Sequence, residues 1–409
     1  MRDQAILVVN AGSSSIKFTL FKAMPPAGEE QRLCDGQISA AGTGTRWRAS
    51  GPDGTALADQ LLPDAATLSS ALPQVLAWIE QRYPASQLLA AGHRVVHGGS
   101  RYSAPTMIDT AVLAELRRLI PLAPLHQPQA LAAIDALRHS HPGLCQIACF
   151  DTAFHHNQPA LVTSFALPQT WYDEGVRRYG FHGLSYEYIA GVLPALLGPQ
   201  RAGARIVVAH LGAGASMCAL HGGRSIATTM GFSTLDGLPM SRRCGSIDPG
   251  AILYLLQEKG LSAAELSDLL YQHSGLMGLS GISDDMRTLL HSAAPQAAFA
   301  IDLYVYRVGR ELGSLAAALG GLDALVFTAG IGEHAPLIRA RIGKAAAWLG
   351  VQIDAAANEA GHTRLSPPDS AVSAWMIPTD EDVMIVCHCR QLLNLSPGSP
   401  ATRSRHEII

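Results

Sequence analysis

A chain of 409 residues is too long for one ordinary hydrophobic core, so two domains are the expectation. Apolar residues make up 48% and charged residues 15%, the balance of a globular enzyme; a net charge of −3 leaves no polybasic footprint for nucleic acid or a membrane surface. Seven scattered cysteines, with no paired C-x-x-C pattern, read as reduced thiols in a cytoplasm.

The chain opens with the apolar run Ala5-Ile6-Leu7-Val8-Val9, too short for a signal peptide. A polar turn follows, Asn10-Ala11-Gly12-Ser13-Ser14-Ser15, after which Ile16, Phe18 and Leu20 alternate with Lys17, Thr19 and Phe21. The pattern predicts strand, turn, strand. Such a turn can direct N–H groups, hydroxyls and one ammonium at an anion; an ordinary polar hairpin is the bland alternative. It is not a Walker loop, because no G-x-x-x-x-G-K-[ST] occurs. Residues 24–60 read as short strands and loops. Residues 71–82 form a helix with Leu72, Val75, Leu76 and Ile79 on one face. Then comes His93-Arg94-Val95-Val96-His97-Gly98-Gly99, dense in donors. Its arginine can clamp a carboxylate or phosphate with two parallel bonds; the alternative is a strand end with solvated basic side chains. A helix over 111–120 stops at Pro121. A proline-fixed loop presents His126 beside Leu125, and a helix over 129–138 follows. Residues 145–150 are a buried strand ending at Asp151. A carboxylate there suits metal or substrate binding; the alternative is a helix N-cap.

In the second half, glycines bracket His182 in Tyr179-Gly180-Phe181-His182-Gly183, and Ser185 is expected to cap a helix over 186–197. The stretch Ile206-Val207-Val208-Ala209-His210-Leu211-Gly212-Ala213-Gly214-Ala215-Ser216 repeats the logic of the opening about 200 positions later. The repeat predicts a duplicated domain, each half offering a phosphate hairpin to a shared cleft. Ser241-Arg242-Arg243-Cys244-Gly245 is a second arginine site. Ser283-Asp284-Asp285 leads into Arg287, and 298–318 is a long helix. The apolar segment 312–332 is split by Gly320-Gly321 and reads as helix, turn and buried strand, not a membrane span. The strand runs into Gly330-Ile331-Gly332-Glu333, whose glycines let backbone approach a nucleotide closely. Pro378-Thr379-Asp380-Glu381-Asp382 reads as an acidic loop before a last strand over 383–386. It suits Mg²⁺ held through water, or a solvated turn. Cys387-His388-Cys389 lacks the second pair that a zinc site needs. Residues 396–409 read as a loose polar tail.

Two phosphate hairpins, a Gly-x-Gly loop and acidic positions at Asp151 and Glu381 together suggest a Mg-nucleotide phosphotransferase. Arg94 and Arg243 suggest a small anionic acceptor. No G-x-S-x-G elbow supports a serine hydrolase. Val9-Asn10-Ala11-Gly12-Ser13-Ser14-Ser15-Ile16-Lys17 resembles the first signature of acetate kinases, and His210 to Ser216 resembles their second. Further matching strings are His93 to Gly99, Phe150-Asp151-Thr152-Ala153-Phe154-His155, Tyr179 to Gly183, Ser280-Gly281-Ile282-Ser283 and Phe327-Thr328-Ala329-Gly330-Ile331-Gly332-Glu333. They follow the family's order from residue 6 to about residue 390.

The resemblance implies an α/β duplicated fold of the actin/Hsp70/sugar-kinase type, with two domains around a nucleotide cleft. The first domain would be 1–150 with 385–409, the second 151–384. It implies phosphoryl transfer from ATP to a short carboxylate, acetate or propionate, giving ADP and an acyl phosphate. Mg²⁺ would assist, with Mn²⁺ as its substitute, in a cytoplasmic homodimer with no nucleic-acid or membrane partner. By motif position, Arg94 and Arg243 would hold the carboxylate and the transferring phosphoryl group. His182 would donate to that group, His126 would assist, and Asp151 would orient substrate and metal. Val96, Leu125, Phe181 and Thr234 would surround the acyl group. Asn10, Ser13, Ser15 and Lys17 would line the phosphates, with His210, Gly212 and Gly214 opposite. Asp285, Arg287, Gly330 and Gly332 would face the nucleoside, and Asn10 and Glu381 would serve the metal. A carboxylate acceptor is already ionised, so no strong general base is required.

The chain departs from the family at Ala213 and His334, where Asn is usual, at Arg242 and Ser246, and at Thr234, where proline is usual. These departures bear on substrate and nucleotide preference. They keep open another carboxylate or phosphoryl donor. A non-catalytic actin-like nucleotide switch is the reading from a different class, and the intact Arg94, His182 and Arg243 argue against it.

Overall fold

The computed structural model describes residues 3–12, 14–26, 31–41, 44–62, 67–198 and 203–395. Ser13 and the expected tail 396–409 lie outside them. The chain forms two compact units. One comprises Met1–His156 and the segment from Asp380; the other is Asn157–Thr379.

The first unit is built on a mixed sheet of β1 (Asp3–Ala11), β2 (Ser15–Lys22), β3 (Arg32–Ala41), β4 (Gly44–Ser50), β5 (Ala56–Leu62), β6 (Ser86–Val95), β7 (Thr106–Met107) and β8 (Cys145–Phe150), in the order β5-β4-β3-β2-β1-β6-β8-β7. Residues 24–60, expected as short strands and loops, include the ten-residue strand β3 and run on as an antiparallel ribbon. The opening stretch is the expected hairpin, with Asn10 opposite Lys17. β1 is central, so both its faces are covered and Ile6, Leu7 and Val8 are all fully buried. On one face Leu7, Val9 and Phe18 pack against Val75, Leu76 and Ile79 of the helix Leu72–Arg82 and Ala133 and Leu137 of the helix Gln127–Ser140.

Another helix corrects the sequence reading. Residues 383–386, expected as a strand, lie in the helix Glu381–Leu392. Val383, Met384, Ile385 and Val386 are all buried, and a short run buried on every side carries no periodicity to separate strand from helix. This helix packs on β6 at Gly92, where a Cβ would meet Cys389 Sγ and Ile385 Cγ2 at 2.6 Å. Its first turn is pinned to the sheet. Asp380 accepts from Val383 N at 3.2 Å and pairs with Arg32 at 2.6 Å, and Asp382 accepts from Thr19 Oγ1 at 2.8 Å. The acidic stretch is therefore a helix start, not a loop.

The second unit holds a five-stranded sheet of β9 (Arg205–Leu211), β10 (Ala215–His221), β11 (Arg224–Thr228), β12 (Ala324–Thr328) and β13 (Ser373–Met376), ordered β11-β10-β9-β12-β13. In both sheets an antiparallel ribbon passes through its first strand into parallel strands. This is the duplicated α/β fold expected from the two hairpins. The helix Pro295–Leu319 packs Ile301, Tyr304, Val308 and Leu312 inward, then β12 follows. No helix among the described residues is long and apolar enough to cross a membrane.

Candidate functional site

In the first unit β1, β6 and β8 run parallel, with Val9 opposite His93 and Arg94 opposite Cys149. Their C-terminal ends therefore bring Asn10, Arg94 and Asp151 to one sheet edge. Arg94 Nη2 donates to Asp151 Oδ2 at 2.7 Å and Nε donates to Oδ1 at 2.9 Å, a bidentate pair. Arg94 Nη1 lies 3.4 Å from Asn10 Oδ1, and Nε lies 3.4 Å from Glu381 Oε2. The helix start at Asp380 thus delivers Glu381 to the same arginine. Asp151 is buried, its backbone N–H donates to Val95 O at 3.1 Å, and the N-cap position of the turn that follows, Ala153–His155, falls to Thr152. Burial opposes the charge on Arg94. Asp151 and Glu381 outweigh it and hold the guanidinium above its ordinary pKa.

The flanking histidines are not further charged donors. Burial lowers His93 and His97 to about 4 each, so both are neutral at pH 7. His93 Nε2 meets Gln146 Oε1 at 2.8 Å. The His97 backbone is gripped by Gln127, which accepts from its N–H at 3.2 Å and donates to its C=O at 3.1 Å. That grip ties the start of the helix Gln127–Ser140 to the chain just beyond Arg94. Val96 is buried there, while Leu125 and His126, immediately before the helix, are half-buried. On the opening hairpin Gly12 N donates to Ser15 O at 2.8 Å, and Lys17 is exposed.

In the second unit the turn after β9 is closed by Gly212 N donating to Gly214 O at 3.1 Å. His182 sits at the N-terminus of the helix Gly183–Leu197 with φ 57°. That helix starts three residues earlier than expected, so Ser185 is inside it and not its cap. Ser185 Oγ instead meets His210 Nδ1 at 2.8 Å. His182 stacks on His210 with ring centroids 4.2 Å apart, and His182 Nδ1 meets Ser216 Oγ at 2.8 Å. A Cβ on Gly214 would lie 3.3 Å from His182 Nε2 and 3.7 Å from Arg243 Nη2, so both groups border the space that this glycine leaves free. Arg243 Nη1 donates to Thr234 O at 3.0 Å, and Phe181 is buried in the turn before His182.

A cavity of about 420 Å³ in this unit is lined by Gly212, Ala213, Asp285, Arg287, Gly330 and His334, among others. Asp285 Oδ2 accepts from Arg287 Nη2 at 2.8 Å, which helps hold its carboxyl below the usual range. Gly332 is buried within the helix Ala329–His334. Ala329 has φ 64°, which costs an L-residue roughly 1–2 kcal/mol. Glu333 Oε1 holds it there by accepting from Ala329 N at 2.7 Å. The expected Gly-x-Gly loop is thus a short helix, and its far end is gripped by Arg339, which donates to Gly332 O at 3.0 Å and Glu333 O at 2.7 Å.

The model of the acetokinase family matches residues 5–387. The chain belongs to the acetokinase family. It is 57% identical over 392 residues to an acetate kinase of Rhodopseudomonas palustris (strain TIE-1), covering 95% of this chain and 98% of that one. It is 52% identical over 407 residues to one of Nitrobacter hamburgensis, covering 99% of each. Its fold is similar to the crystal structures of Porphyromonas gingivalis acetate kinase (TM-score 0.85, 34% identity, 95% of this chain and 100% of that one) and of a propionate kinase from Francisella tularensis (TM-score 0.87, 34% identity, 94% and 98%). Membership carries the expected enzyme class, a phosphotransferase with a carboxyl group as acceptor.

The motif strings name charged residues but not the groups that hold them. Tyr186 and Arg339 belong to no motif, and neither Glu333 nor Ser216 shows its bonding role in the motif that contains it. Only Tyr186 left a local signal, four residues after His182 on one helix face.

Proposed function

We propose that this chain is an ATP-dependent kinase of acetate, with propionate as a second acceptor, producing acyl phosphate and ADP by direct in-line transfer. The observation that supports this best is the Arg94–Asp151 pair at the parallel strand ends, with Asn10 and Glu381 turned to the same guanidinium. Arg94 takes the acceptor carboxylate, and Asp151 orients and neutralises Arg94. Val96, Leu125, Phe181 and Thr234 surround the acyl group, and His126 assists. Arg243 neutralises the transferring phosphoryl group, and His182 Nε2 donates a hydrogen bond to it. Asn10, Ser13, Ser15, Lys17, His210, Gly212 and Gly214 serve the phosphates; Asp285, Arg287 and Gly330 serve the nucleoside, while Gly332 stays buried in its helix. The carboxylate oxygen bonds to phosphorus as the bond to ADP breaks, and no proton is transferred.

The residues present fit Mg²⁺. Arg94, Asp151 and Glu381 together sum to one negative charge, and Asn10 and Glu381 offer hard oxygen donors. Among the described residues no group of three or more His, Cys, Asp or Glu is placed to hold a metal. When bound, Mg²⁺ neutralises nucleotide phosphate oxygens. A cytoplasmic homodimer completes the reading. The apolar helix Pro249–Gln257, with no buried residue and with Leu253 and Tyr254 exposed, fits a second copy. Light scattering and cell fractionation check these points.

The test is a hydroxamate assay for acyl phosphate with Mg-ATP and acetate, propionate or butyrate, and Arg243→Ala as control. Acyl phosphate from acetate or propionate that disappears in the variant is expected. Bound ATP without product from any acid would overturn the proposal.

A further inference from the structure

We propose that Tyr186 and Ser216 form a hydrogen-bond relay that fixes the tautomer of His182, leaving the ring proton on Nε2 as a standing donor. Both are positioning residues, since neither reaches the space over Gly214. Ser216 lies on β10 and Tyr186 lies one turn after His182; both are fully buried. The Ser216 hydroxyl has one hydrogen to give and faces His182 Nδ1 at 2.8 Å and the Tyr186 hydroxyl. Burial keeps the Tyr186 phenol protonated. A phenol is a stronger donor than an alkyl hydroxyl, so Tyr186 donates to Ser216 Oγ. Ser216 then gives its single hydrogen to His182 Nδ1. A neutral imidazole accepting at Nδ1 carries its hydrogen at Nε2.

That hydrogen sits on the ring nitrogen nearest Gly214. His182 Nε2 and Arg243 Nη2 lie 3.3 and 3.7 Å from the point that a Gly214 side chain would fill. Both nitrogens therefore border the same bare face of Gly214, an arrangement that suits two donors to one phosphoryl oxygen. The neighbouring ring repeats the arrangement. Thr379 Oγ1 donates to Ser185 Oγ at 2.8 Å, and Ser185 Oγ meets His210 Nδ1 at 2.8 Å. The two stacked imidazoles are thus each backed by a serine on the same ring nitrogen. Stacking fixes the ring plane; the serine fixes which nitrogen holds the proton.

The catalytic part of this inference rests on His182 acting on the transferring phosphoryl group. The test therefore has an arm that needs no turnover. Nitrogen-15 NMR of histidine-labelled wild-type protein is expected to show His182 as the Nε2–H tautomer; an Nδ1–H pattern would overturn the relay. In the kinetic arm, Ser216→Ala is expected to lower kcat on the order of 100-fold, the loss typical of one positioned donor, with KM for both substrates nearly unchanged. Tyr186→Phe should cost less, and the double variant no more than Ser216→Ala alone, because Tyr186 acts only through Ser216. Additive losses, or a raised KM with kcat intact, would refute it. A wild-type protein that makes no acyl phosphate would refute the proposed function, while the tautomer would still decide the relay.

Discussion

Lowering the pH from 7 to 5 should destabilise the native chain through His93 and His97. Burial holds each at about 4 when folded, against an ordinary 6.5. The unfolded chain therefore binds more protons through the window between those values. The stability tied to neutral histidine is present above 6.5 and is lost as pH falls toward 4. Each histidine costs the native state roughly 2 kcal/mol on going from pH 7 to 5. Asp382 works the other way. Burial first, then Asp380 and Glu381, push it up to about 6, with Thr19 and Arg32 opposing. The folded state takes up that proton first and regains roughly 1 kcal/mol. The net loss is roughly 2–3 kcal/mol, visible as a lower urea midpoint by circular dichroism. His93→Gln keeps a polar group facing Gln146 and cannot gain charge, so it should remove most of the acid sensitivity. It should leave the acetate KM unchanged, because His93 bonds Gln146 and not the acceptor. A variant that loses stability between pH 7 and 5 as steeply as wild type would refute the assignment of neutral, buried histidine.

Two predictions concern the charged cluster and the strained first residue of the helix Ala329–His334. Arg94→Lys removes the two-pronged contact with Asp151, and kcat/KM for acetate should fall on the order of 100-fold or more; an unchanged value would remove Arg94 from the acceptor site. Ala329→Gly relieves a positive φ at the cost of a more flexible unfolded chain, so it should stabilise by about 0.5–1 kcal/mol, read from the thermal midpoint; a destabilised variant would mean that Glu333 fully compensates the strain.

The parts of the fold visible in sequence are those where one face differs from the other. The opening hairpin alternates buried Ile16 and Phe18 with exposed Lys17, and its strand–turn–strand pattern follows. The helix Glu381–Leu392 hides because its apolar run is buried throughout. The charge state of Arg94 and its neighbours depends on β6 lying beside β8, a pairing across more than fifty residues that no local pattern contains. The strings around Asn10, Arg94 and His182 name residue types suited to anions, and the one around Asp151 names a carboxylate suited to a cation. They do not say that Asp151 grips Arg94, or that His93 and His97 are neutral. Burial settles those points, and it is a tertiary property.

The two hairpins also differ in how they can serve a phosphate, which leads to a test at Ala213. In the first, Asn10 keeps a side-chain amide, and its oxygen faces Arg94. In the second, Ala213 lines the cavity without a polar side chain, while its carbonyl accepts from Ser241 N at 3.2 Å. That bond ties the turn to the loop that carries Arg243, so the backbone at 213 stays fixed when its side chain changes. Ala213→Asn should therefore add an amide donor beside the cavity without moving Arg243. One net hydrogen bond contributes about 0.5–1.5 kcal/mol, so KM for ATP should fall roughly 2- to 10-fold while KM for acetate holds. A KM for ATP equal to that of wild type would show that the amide finds no phosphate, and that backbone N–H groups and Arg243 already satisfy the nucleotide there.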